Sequence, residues 1–289
     1  MWVLLALGAA FLASFNPIVN KRLLVSADVP VVAWAGQTAA LPLLGLGLIL
    51  FFQPLPRVDT LFYFGILGSA VLNALAHLAA TRALKEADAS LVTPLFVFSP
   101  VVTLLIAVVS LGEIPSLRGS LGVAAVVLGA YLLNFKVGAR ALEPLRALFT
   151  NRGIGLALLS SILWGLTPIF EKTAIQHTTP TNPPAAAFGS AIGLSLLLLP
   201  VMITRASRPV AQIVRRWRGF LLLGVIGGIA PFLGYTALSL GLAAYVSALF
   251  KLSTVLTLVW AFFFLGEREV VHRLPGAATI LAGGLLLTF

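Results

Sequence analysis

Apolar runs of about 20 residues follow one another almost without pause along the chain, and each is long enough to cross a hydrocarbon core of roughly 30 Å. Nothing else in the sequence limits the fold so strongly. In lipid every backbone N–H and C=O must find a partner within the protein, which leaves helices or a closed barrel. A barrel strand alternates apolar and polar residues over a short segment, and these runs do not alternate. Hydrophobic residues make up 60% of the chain and charged residues 10%, against roughly 45–50% and about 25% in soluble domains. An all-α polytopic membrane protein is therefore expected.

The pattern reads as about ten spans. In the first half they cover Trp2–Val19, Val31–Phe52, Leu61–Ala83, Ser90–Leu111 and Leu117–Phe135. In the second they cover Ile154–Ile175, Ala185–Ile203, Phe220–Leu240, Ala244–Leu265 and Val271–Phe289. The longest polar connection, Lys136 to Arg152, separates the halves. Residues 1–140 and 153–289 form the expected units and 141–152 a basic linker.

The halves are copies of one design. Thr81–Glu113 aligns without a gap on Tyr235–Glu267. Ser99, Thr103, Leu111, Gly112 and Glu113 meet identical residues there, and Gly122 and Gly129 meet Gly276 and Gly283. Asn16-Pro17-Ile18-Val19-Asn20-Lys21 parallels Thr167-Pro168-Ile169-Phe170-Glu171-Lys172. Duplication on this scale is the usual mark of a secondary transporter.

Loop charge gives the orientation. Lys21, Arg22, Arg82, Lys85, Lys136, Arg140, Arg146, Arg152, Arg205, Arg208, Arg215, Arg216, Arg218, Arg268 and Arg273 fall in or beside odd-numbered connections; Arg57, Arg118 and Lys172 fall in or beside even ones. The positive-inside rule puts the odd loops in the cytoplasm and both termini outside an inner (plasma) membrane. An odd number of spans per half then inverts the second unit relative to the first. This distribution also accounts for the net charge of +10 without a nucleic-acid partner.

The ordered motifs bear a family resemblance. Leu111-Gly112-Glu113 and Leu265-Gly266-Glu267, Pro94 and Pro100 in the fourth span, and the Gly122/Gly129 and Gly276/Gly283 pairs resemble the EamA-type branch of the drug/metabolite transporter superfamily. The resemblance covers nearly the whole chain. It implies a ten-span secondary transporter, an exporter or exchanger of amino acids or other small metabolites. The second half has Ala248 and Thr254 in place of Pro94 and Pro100, so the fourth and ninth spans need not bend alike.

Several residues are candidates for handling a solute. Lys251 lies deep within a span and lacks a carboxylate at matching depth; it either meets a substrate carboxylate or phosphate or snorkels along a wall. His77 and Asn73 stand one turn apart inside the third span, lining a cavity or binding a neighbouring helix. Trp164, Tyr235 and Phe96 are aromatic candidates for the cavity wall, with packing as the alternative. Pro17 and Pro168 are candidate gate kinks or helix ends, and Pro94 and Pro100 candidate kinks. Glu113 and Glu267 are gate latches or proton sites on one reading and helix-end anchors near Arg118 and Arg268 on the other. Glu171 and Lys172, adjacent in sequence, either pair or read a substrate, with pairing expected.

The expected partners are a zwitterionic or anionic small molecule and the lipid bilayer, with the protein a monomer or homodimer. No metal or other cofactor is expected: the sequence has no cysteine and no His/Asp/Glu cluster suited to a metal, and a Walker A loop is also missing. An enzyme embedded in the membrane would need a polar cluster at one interface, and the scattered charges supply none. A channel subunit is a further alternative, opposed by the duplication.

Overall fold

The computed structural model describes residues 1–51, 55–86, 93–134, 151–265 and 274–288. The first half holds α1 (Trp2–Ala13), α2 (Asn16–Leu24), α3 (Val29–Thr38), α4 (Leu41–Phe51) and β1 (Arg57–Val58). It continues with α5 (Thr60–Glu86), a 3-10 stretch (Thr93–Phe98), α6 (Ser99–Ser110) and α7 (Leu117–Asn134). The second half opens with α8 (Arg152–Gln176), β2 (Thr178–Thr179), α9 (Pro183–Arg205) and α10 (Pro209–Arg215). It ends with α11 (Trp217–Leu240), α12 (Ala243–Phe250), α13 (Leu252–Leu265) and α14 (Leu274–Thr288).

Among the described residues, seven stretches are long and apolar enough to cross a membrane: Trp2–Leu24, Val29–Leu50, Thr60–Ala80, Arg152–Gln176, Pro183–Arg205, Trp217–Leu240 and Ala243–Trp260. Leu95–Ser110, Leu117–Leu132 and Leu274–Thr288 are shorter apolar helices. The chain is an all-α polytopic membrane protein, and among the described residues β1 and β2 form its one two-residue antiparallel ladder.

Local chemistry sets the helix ends. Asp59 Oδ1 accepts from the N–H groups of Leu61 and Phe62, at 2.9 and 3.1 Å, and caps α5. Buried Asn182 caps α9 through Ala185 N at 3.0 Å, with Pro183 and Pro184 in the first turn, where a missing N–H costs nothing. Gly112, with φ of +66°, stops α6 in the left-handed conformation that glycine tolerates best. The following Glu113 N–H closes on the Ala107 carbonyl at 3.1 Å.

Among the described residues, four helical runs are interrupted midway: α1/α2 near Ser14, α3/α4 at Ala39–Ala40, the 3-10 stretch and α6 at Phe98–Ser99, and α12/α13 at Lys251. Pro17 and Pro100 lie in the first turns of α2 and α6, so both mark real interruptions, and Pro94 lies in the 3-10 stretch. At Pro168 the helix runs on unbroken. The ninth predicted span breaks without a proline, one position from the counterpart of the Phe98 break. Here Ser253 Oγ donates to the Phe250 carbonyl at 2.6 Å, and tight i−3 backbone bonds flank Lys251. The two spans thus interrupt at matching places by different chemistry.

Packing repeats across the halves. A Cβ on Gly65 would sit 2.7 Å from Ala174 N, and one on the corresponding Gly219 2.7 Å from Leu23 Cδ2. α7 and α14 pack directly on each other: a Cβ on Gly129 would come within 2.7 Å of Gly276 O, and one on Gly283 within 2.8 Å of Gly122 O. Small residues there allow backbones to touch, as apolar lipid leaves close van der Waals packing to hold helices together.

The connections gather at two ends. At one, Asp28 Oδ2 accepts from Ser207 N and Gln212 Nε2, at 2.9 and 2.8 Å, and Arg216 Nε donates to Ser26 Oγ at 2.8 Å. At the other, β1 pairs with β2, and His177 Nδ1 lies 2.7 Å from Asp59 Oδ2.

Candidate functional site

Between these ends lies a cavity of about 490 Å³, within the range of roughly 300–1,000 Å³ typical of small-molecule sites. Both halves line it. Asn16, Gln37, Ser99 and Thr103 come from the first; Trp164, Pro168, Glu171, Tyr235, Ser247, Lys251 and Thr254 come from the second. All four interruptions are adjacent to it or contribute to its wall, as Ala13, Asn16, Gln37, Ser99 and Lys251 show. Interrupted helices offer backbone groups and side chains to a solute where continuous ones cannot.

Two opposite charges share the cavity. Lys251 ends α12 at the break, and its ammonium has no carboxylate or hydrogen-bond partner among the described residues. Glu171 is on α8. The Tyr235 side chain interacts with the Glu171 carboxylate and with Ser69 and Ser190. The two serine hydroxyls are 3.2 Å apart, and Tyr235 is 8% exposed. Glu171 therefore faces polar side chains from α5, α9 and α11. Glu171 and Lys251 make no ion pair with each other.

The aromatic candidates separate by role. Trp164 lines the cavity, with His77 and Phe96 edge-on against it at ring-centroid distances of 5.3 and 5.6 Å. His77 and Phe96 thus buttress Trp164 and are not themselves lining residues. Asn73 is half-buried on α5 and also lies off the cavity. Tyr235, Lys251 and Pro168 do line it, whereas Pro17 is exposed and Pro100 is buried in packing.

Glu171 lines the cavity, although pairing with Lys172 was its expected role. Its signal was spacing: Trp164, Pro168 and Glu171 fall at i, i+4 and i+7, on one helix face. Adjacent residues on a helix do not face each other. The expected Glu171–Lys172 pair accordingly does not form. Lys172 instead pairs with Glu113 and donates to the Gly241 carbonyl at 2.5 Å. Glu113 Oε2 also accepts from Ala243 N, the first residue of α12, at 2.7 Å. Glu113 is thus both a helix cap and one partner of a cross-half ion pair, which joins α6 to α8 and α12 beyond one end of the cavity. Its counterpart, Glu267, and the neighbouring Arg268 lie outside the described residues.

Comparison with known proteins places this geometry in a family. The model of the EamA-like transporter family matches residues 1–135 and 151–289. An uncharacterized transporter in a cobO 3' region of Sinorhizobium sp. is 32% identical over 132 residues, which are 45% of this chain and 92% of that protein. The fold also matches a crystal structure at a TM-score of 0.79 and 15% identity, covering 100% of this chain and 98% of the other. With its duplicated match and its cavity walled by both halves, the chain belongs to the EamA-like transporter family and is a membrane transporter.

Proposed function

We propose that the chain is a secondary transporter of small metabolites such as amino acids or carboxylates, working by alternating access. On this reading ten spans form two inverted units, residues 1–140 and 153–289, joined by 141–152. The units lie in the inner membrane with both termini outside, and they rock about the central cavity.

The observation that carries the reading is Lys251, set at a helix break in a cavity walled by both halves. A lysine at the centre of a membrane helix costs about 2.5–3.5 kcal/mol on insertion scales. A packing role offsets none of that cost, whereas a substrate carboxylate would. The paired contacts across the halves support the inverted arrangement, as does a relative of about half this length. An enzymatic reading gains no support, because the cavity charges form no acid–base pair with a nucleophile.

The test is counterflow of labelled amino acids and carboxylates into liposomes holding the purified protein. A carrier saturates with substrate and shows stimulation by solute on the far side. Flux that rises linearly, without trans-stimulation, describes a channel and overturns the reading.

A further inference from the structure

We infer that Glu171 is a specificity-determining residue of the cavity: it takes the cationic nitrogen of a zwitterionic solute whose carboxylate meets Lys251. This rests on the cavity being the transport site, as proposed above.

The argument begins with charge balance. Lys251 and Glu171 line one cavity yet make no ion pair with each other. Two opposite charges in a low-dielectric enclosure attract strongly, and flexible side chains would normally meet. Here they do not meet. Glu171 interacts with Tyr235, which neighbours the bonded Ser69 and Ser190 hydroxyls. Lys251 is set by the break between α12 and α13. Lys172, the neighbouring cation on α8, is occupied by Glu113 and faces away. The cavity thus presents a separated positive and negative site with no net charge between them.

A solute complementary to that arrangement carries both charges and is neutral overall. Its carboxylate meets the ammonium and its ammonium meets the carboxylate, so both desolvated groups gain charge-assisted hydrogen bonds. The Trp164 ring, one turn of α8 below Pro168, adds a π face on the same wall for the cationic end. A phosphorylated or purely anionic solute would satisfy Lys251 and bring its remaining charge against Glu171. That repulsion works against the anion-exchanger alternative, which Lys251 alone leaves open.

The test uses matched triads on the purified full-length protein in detergent: L-leucine, 4-methylpentanoate and 3-methylbutylamine, then L-phenylalanine, 3-phenylpropanoate and 2-phenylethylamine. A panel of small, branched, aromatic and basic amino acids accompanies them. Ligand-induced thermal shift gives the half-saturating concentration. The wild type is expected to bind at least one zwitterion about tenfold or more tighter than its deaminated or decarboxylated partner. Glu171→Gln erases the preference for the zwitterion over the carboxylate. Lys251→Met erases the preference over the amine. Glu171→Asp, which keeps the charge, retains both preferences and separates recognition from a folding defect.

Three outcomes overturn the inference. They are a carboxylate that equals its zwitterion in the wild type, discrimination retained in Glu171→Gln, and a panel in which no zwitterion stabilises the protein. Because the assay reads binding in micelles, these outcomes leave the transport reading to the liposome flux, which can fail independently.

Discussion

Thr103 and Thr257 make the same hydrogen bond from opposite halves of the protein. Thr103 Oγ1 donates to the Gly165 carbonyl on α8 at 2.7 Å, and Thr257 Oγ1 donates to the Ser14 carbonyl at the α1 break at 2.9 Å. Each also bonds back to its own helix, Thr103 to Ser99 O at 3.1 Å and Thr257 to Ser253 O at 2.8 Å. Gly165 and Ser14 occupy equivalent places in the aligned heads of the two halves. The two bonds are thus one design feature used twice, each fixing a cavity-lining helix to the other half.

Thr103→Val and Thr257→Val keep the side-chain shape and remove the donor. Hydrogen bonds between membrane helices average about 0.6 kcal/mol and reach about 1.7. Each variant is expected to lower the thermal midpoint in detergent by a similar small amount. A large loss in one and none in the other would show that the bonds are not equivalent.

Glu113 and Lys172 are expected to be energetically coupled. Lys172 is 9% exposed, so Glu113→Gln leaves a buried ammonium without its counter-charge. Removing one partner of a buried pair commonly costs about 3–5 kcal/mol. The Glu113→Gln/Lys172→Met double variant should lose less stability than the two single variants summed, with a coupling of about 0.5–3 kcal/mol. Additive losses would mean that the pair does not act as a unit. Because the chain lacks cysteine, a single cysteine at Ser247 can also report access. Glu113→Gln should speed its modification by an impermeant maleimide added from the Glu113 side.

Lys251→Met should lower saturable flux by at least about tenfold, the loss of one charge-assisted contact. Its thermal midpoint in the absence of solute should hold or rise, since a desolvated charge has gone. A variant with wild-type flux would remove Lys251 from the site.

Acid should loosen both ends. Hydrogen bonds from Gln212 and then Ser207 hold the Asp28 carboxyl below its ordinary value of 3.8. His177 chiefly does the same for Asp59. In each case the folded value lies below the unfolded one. The stabilisation is present above the unfolded value and is lost as pH falls through the folded value. Asp28→Asn should therefore lower the thermal midpoint at neutral pH, and its gap from the wild type should close below about pH 4. A gap that persists in acid would assign the effect to shape rather than charge.

Much of this architecture was legible from residue identity and spacing. The repeated Gly122/Gly129 and Gly276/Gly283 pairs were visible as identities, and the structure places them where α7 and α14 touch. The aligned Thr103 and Thr257 were visible as identities, and their partners were not, since a carbonyl has no sequence signature. The break at Lys251 escaped because proline was the signal sought, and a serine hydroxyl made it. Glu171 offered two roles, and the expected one, pairing with Lys172, fails because adjacent helix residues point apart. Lys251, Trp164 and Tyr235 stood out by rarity or size in an apolar span and line the cavity; His77 stood out for the same reason and packs edge-on against Trp164.

The arrangement of the two halves is tested most directly by where the chain ends lie. A cysteine is appended before Met1 in one protein and after Phe289 in another, and intact cells are treated with an impermeant maleimide. Inverted units predict that both ends are modified from outside, while a cysteine at Ser26 is modified only after the membrane is opened. Chain ends on opposite faces of the bilayer would contradict the inverted arrangement and the alternating-access account built on it.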